Sequence, residues 1–304
     1  MQTHAITLPA SHYRTLEKVV TALVEKFDTQ YIICFGCAEQ RKVMTSCFIP
    51  PSDQSYARYY LLMITTQTQR MEHQVQDFAD SHFPDCHLTL AVHGLESVTK
   101  AVNQGSRFFA TACQYGMQLY SRSGLRLDLS YHHINPLTTL ARAETKYHHH
   151  YGLALGFREA AACSFESQHY GICVFMLHQA VEHACNALIR VFTGYRTEMH
   201  NLSRLMDHCL IFSDQPDYAL PRKTKEDLRL FKLLRDSYSD ARYDDKYVVS
   251  AADVEILLNR VRELLEVTEE LSLQRLVLYG KEAEEAETAI NLTTQLNTPM
   301  PHAG

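Results

Sequence analysis

The stretch FMLHQAVEHACNALIRVFTGYRTEMHNLSRL occupies residues 175 to 205. Its apolar side chains recur at helical steps with no proline among them, Gly194 follows as a helix stop, and Asn201 stands where a side-chain oxygen caps the next helix. One helix ends here and another begins. From about Leu137 onward the same periodicity gives helical runs over 138–165, 168–194, 201–213, 224–245 and 251–279, with Pro216 and Pro221 breaking the chain before the fourth. This half is an all-α, up-and-down bundle, expected over 126–280. The tail KEAEEAETAINLTTQLNTPMPHAG, 281–304, starts in helix-forming residues but ends polar and prolyl, and is expected to be flexible.

The preceding residues read differently. Between Ser11 and Phe27 the residues Leu16, Val19, Val20, Leu23 and Val24 mark a helix with one buried stripe. A short strand, YIICF, follows, then a polar, proline-bearing loop FIPPSDQSYA, the apolar run YYLLMITT, a helix around RMEHQVQDFADSHF and a strand HLTLAVHG. ESVTKAVNQG is a helix closed by Gly105, and GMQLY after SRFFATACQ is a final edge strand. Residues 1–125 therefore form a small α/β domain, and the whole chain is α+β.

Composition narrows the chemistry. With 29 Lys and Arg against 35 Asp and Glu the net charge is −6, which excludes a broad electrostatic grip on nucleic acid; any RNA contact has to be local. The nine cysteines are odd in number and mostly embedded in apolar stretches such as YGICVFML, as in a reducing cytoplasm. Cys34 and Cys37 make a lone CxxC without the second pair that a zinc site needs. No signal-peptide pattern opens the sequence, and no run of about eighteen apolar residues spans a membrane.

His178-Gln179-Ala180-Val181-Glu182, His200-Asn201-Leu202 and Ala241-Arg242-Tyr243 together resemble the HEPN domain, a helical bundle associated with nucleotides and RNA, over roughly 138–275. The α/β half resembles the nucleotidyltransferase domains often fused to such bundles, on Phe35-Gly36 after a strand, YYLLMITT and GMQLY. The first resemblance implies a homodimer through the bundle and a site in its groove. The second implies a glycine turn admitting a triphosphate and two carboxylates, one residue apart, holding metal over the reacting phosphate. Gly36 supplies the turn, but Arg58 and Tyr60 stand where the carboxylates belong, and Asp53 in the preceding loop would hold magnesium only weakly.

The bundle departs from its family in a parallel way. HEPN ribonucleases place a histidine five to seven residues after an arginine, because cleavage at a 2′-hydroxyl needs an imidazole to trade protons and a guanidinium to stabilise the phosphate. In RDSYSDARYDDKY, Arg235-Asp236 opens the pattern, but Asp240, Ala241 and Arg242 fall where the histidine should be. Arg126 to His132 and Arg142 to His148 have the spacing outside the family's site, and His148-His149-His150 points to three sides of a helix. The expected ligand-binding residues are Arg235, Asp236, Ser239, Arg242 and Tyr243, with Glu182, His200 and Asn201 opposite, against the plainer alternative of a solvated face stitched by pairs such as Lys232 to Asp236. No catalytic residue, cofactor or metal is expected. These features describe a cytoplasmic nucleotide- or RNA-associated regulatory protein without strong catalysis. The alternative is an active nucleotidyltransferase or ribonuclease of a toxin–antitoxin-like system whose catalytic residues are displaced, to Asp240 or His200 for example.

Overall fold

The computed structural model describes residues 5–44, 52–67, 69–129, 131, 134–244 and 246–296. The chain divides into two units, Met1–His133 and Ile134–Gly304.

The first unit runs α1 (Ala10–Lys26), β1 (Thr29–Met44), β2 (Ser52–Thr65), α2 (Glu72–His82), β3 (His87–Gly94), α3 (Leu95–Asn103), α4 (Arg107–Tyr115) and β4 (Met117–Ser121). Its sheet has the order β3-β2-β1-β4, with β2 and β3 parallel across α2 and the other pairs antiparallel. β2 is buried on both faces, which is why its apolar residues do not alternate with polar ones. Tyr59, Leu61 and Met63 join Leu16, Val19 and Leu23 of α1 and Val75 and Ala79 of α2 in one core cluster. Tyr60, Leu62 and Ile64 are buried on the other face, where α3 contacts β2 and α4 contacts β1. GMQLY forms the expected edge strand beside β1.

Two local expectations change, and one segment that carried none is a helix. Residues 52–57 of the expected loop FIPPSDQSYA are strand, so Asp53 lies in the ladder opposite Val43. Pairing with β1 satisfies the backbone whatever the polarity of the side chains, which is how propensity is overridden. SRFFATACQ contains a helix, α4, whose Phe108 and Ala112 are buried four residues apart. Finally, Phe35-Gly36 lies inside β1, at a β-bulge between Cys34 and Gly36, with Gly36 paired to Tyr60. The bulge takes up one residue, so Cys34 and Cys37 both meet the α1/α2 core, although an odd spacing would put them on opposite faces of a regular strand.

The second unit contains α5 (Pro136–Glu166), α6 (Tyr170–Thr193), α7 (Leu202–Cys209), α8 (Gln215–Ala219), α9 (Lys225–Tyr243) and α10 (Ala251–Leu296). α6 is its core, contacting α5, α7, α9 and α10. The helix boundaries have local causes. Asn135 caps α5 by accepting from Leu137 N at 2.9 Å, Gly194 closes α6 at φ 74°, Asn201 caps α7, and Thr224 with Asp227 forms a capping box on α9. α8 occupies the segment between the two prolines, with Pro216 in its first turn, where a missing N–H costs nothing. The expected flexible tail begins as helix: α10 passes Gly280 and continues to Leu296. A single interior glycine costs about 1 kcal/mol, too little to stop a helix followed by KEAEEAE.

Candidate functional site

Gly194 and the Asn201 cap fix the connection between α6 and α7, and so place His200 against the middle of α6. His200 Nδ1 donates to Glu182 Oε1 at 2.9 Å. Glu182 is 6% exposed, yet among the described residues its Oε2 has no hydrogen-bond partner. One turn back on α6, His178 Nδ1 lies 4.0 Å from that oxygen and 3.2 Å from Gln179 Nε2. Burial first, then the neighbouring His200 and Arg242, push the His178 pKa down to about 4, so its ring is neutral near pH 7.

α9 supplies the opposite wall. The half-buried Tyr238 ring has its centroid 5.2 Å from that of His178 and 5.6 Å from that of His200, and it stacks on the His200 ring. One turn later, Arg242 Nε donates to Tyr238 O at 2.6 Å, and its guanidinium carbon lies 4.5 Å from the Tyr238 ring, 5.0 Å from Tyr243 and 5.6 Å from Phe175. Among the described residues this guanidinium has no carboxylate partner. It is a cation laid on aromatic rings, on a residue exposed to solvent.

The expected site residues thus separate. Glu182, His200, Arg242 and Tyr243 share this region. Arg235 does not stand as a second open cation, because its Nε donates to Asp236 Oδ1 at 2.7 Å while Lys232 holds Oδ2 at 2.5 Å. Ser239 donates to Asp240 Oδ1, and the Asn201 side chain is taken up by Arg204 N. Those four follow the plainer reading of stitched faces and caps. Tyr238, His178 and Phe175 were absent from the expected site. The i,i+4 spacings of Tyr238 to Arg242 and His178 to Glu182 were visible signals, but which rings meet depends on how α6 packs against α9.

The other residues singled out in the sequence lie elsewhere. In the first unit Tyr60 is fully buried and Arg58 half-buried in β2, while Gly36 is a ladder residue and not a turn, so no mouth for a triphosphate is built from these three in the expected way. Among the described residues no group of three or more His, Cys, Asp or Glu is placed to hold a metal. Burial raises the thiols of Cys34 and Cys86 to about 11, so they are protonated core groups. His150 Nδ1 and His183 Nδ1 are 3.3 Å apart with ring centroids at 5.6 Å, a head-on contact suited to sharing a proton. His132 lies outside the described residues.

A five-helix core with a short connecting helix and an imidazole–carboxylate contact across its α6–α7 turn defines a class of helical bundle. Residues 147–271 match the HEPN domain family, from within α5 to within α10. No curated protein matches the chain. α6 is long and apolar enough to cross a membrane, and most of that apolar stretch is buried within its own unit.

Proposed function

We propose that this chain is a cytoplasmic nucleotide- or RNA-associated regulatory protein without strong catalysis. Its first unit is a nucleotidyltransferase-like domain that has lost its metal carboxylates, and its HEPN domain acts as a homodimer in a toxin–antitoxin-like setting. The observation that carries this reading is Arg242: an exposed guanidinium without a carboxylate among the described residues, braced on Tyr238 beside the 79%-exposed ring of Tyr243. A phosphate accepts the open N–H groups, and a base stacks on the tyrosine face. With so few cations the affinity for a short RNA is micromolar and falls with salt by the slope of one or two phosphate contacts.

Fluorescence anisotropy with a labelled RNA hexamer tests this. Arg242→Ala abolishes binding with unchanged helical circular dichroism, whereas Arg235→Ala weakens it little; equal affinity of Arg242→Ala and wild type refutes the assignment. A second reading, slow metal-independent RNA cleavage, is favoured by one contact. Glu182 fixes His200 with its Nε2 directed away from the carboxylate on a 58%-exposed ring, which supplies near Arg242 an imidazole that α9 itself lacks. Its signature is 2′,3′-cyclic phosphate ends that vanish in His200→Ala.

A further inference from the structure

A carboxylate offers about four acceptor positions, and the buried Glu182 uses one oxygen while leaving the other without a partner. An unsatisfied buried carboxylate oxygen is costly. The group placed to satisfy it is His178, whose Nδ1 at 4.0 Å is beyond hydrogen-bond reach but within a small ring movement. The pair is an ion pair lacking its proton. The titratable and charged groups facing His178 are Glu182 on its own helix, His200 from the connection, and Tyr238 and Arg242 from α9. Glu182 favours a proton there; Arg242 and His200 oppose it.

We propose that the site takes up a proton together with an anion: when a phosphate neutralises Arg242, His178 becomes protonated and closes onto Glu182 Oε2. This rests on the reading of Arg242 as the phosphate-binding cation. Gln179, whose amide Nε2 lies 3.2 Å from the unprotonated Nδ1, releases that nitrogen as it gains its own proton and turns to Glu182. Because the complex then holds more protons than the free protein, affinity rises as pH falls from 7 toward 5. The gain is at most about tenfold for each unit by which the His178 pKa rises.

Histidine ring NMR tests this, the His178 signal being identified by its absence in His178→Gln. In the free protein, Arg242→Gln raises the His178 pKa by about one unit, without any ligand. The dinucleotide UpU, whose diester and uracils keep their charge over this range, raises it in the wild type by a similar amount and binds about twofold more tightly at pH 5 than at pH 7. An unmoved His178 in Arg242→Gln, or in the UpU complex, overturns the proposal. If Arg242→Gln moves His178 while UpU fails to bind at any pH, the nucleotide reading falls and the proton coupling stands.

Discussion

At the scale of single residues, the histidines divide by environment. His178, His150 and His208 are each driven to a pKa of about 4, chiefly by burial. An unfolded histidine titrates near 6.5, so between about pH 6.5 and 4 the unfolded chain binds protons that the folded one refuses. Stability is therefore fully present above that window and falls as pH drops through it, by at most about 1.4 kcal/mol per ring for each pH unit crossed. The urea midpoint is expected to be lower at pH 5 than at pH 7.5, and to fall less in His178→Gln. A midpoint that does not change between these two pH values refutes it. The sequence made the candidate residues visible only in part: Arg242 and Tyr243 by type, Glu182 and His200 through the family resemblance. That Arg235 would be consumed by Asp236 while Arg242 stayed open was not legible, because both arginines have acids nearby in sequence and only the packed helix selects the rotamers.

At the scale of elements, the helices of the second unit were legible because their stops are chemical, such as Gly194, Asn201 and the pair of prolines. The strands of the first unit were less so. β1 and β2 run well beyond their apolar centres, since an antiparallel partner satisfies polar stretches as readily as apolar ones, and Gly36, whose place within an apolar strand is itself a bulge signal, reads equally well as a turn from sequence. Gly116 shows what a glycine between two elements is for. A Cβ there would meet Ala112 O at 2.3 Å and Ile33 Cγ2 at 2.5 Å, where α4 hands over to β4 against β1. One contact is with backbone and the other with the packed core, so neither yields cheaply. Gly116→Ala is expected to cost about 1–3 kcal/mol, as overpacking does, and to lower the thermal midpoint by several degrees. Wild-type stability for this variant shows that α4 and β1 are not so closely joined.

At the scale of the whole molecule, the α/β unit and the helical unit each close a core from their own residues. In the first, α1, α2 and the sheet share one buried cluster; in the second, α6 packs against α5, α7, α9 and α10. Both sizes suit independent domains, and each contains the caps and turns that end its own elements. The Glu182, His200, Tyr238 and Arg242 arrangement is drawn entirely from the second unit. The fragment 134–304, expressed alone, is therefore expected to fold with an α-helical circular dichroism spectrum and a cooperative thermal transition. It should bind the RNA hexamer within about threefold of the full chain, because the site needs no residue from 1–133. Salt should weaken both proteins with the same slope, as the same phosphate contacts are made. A fragment that folds cooperatively but no longer binds would move the ligand site out of the helical unit alone, and one that remains unfolded would show that the core around α6 is not self-sufficient.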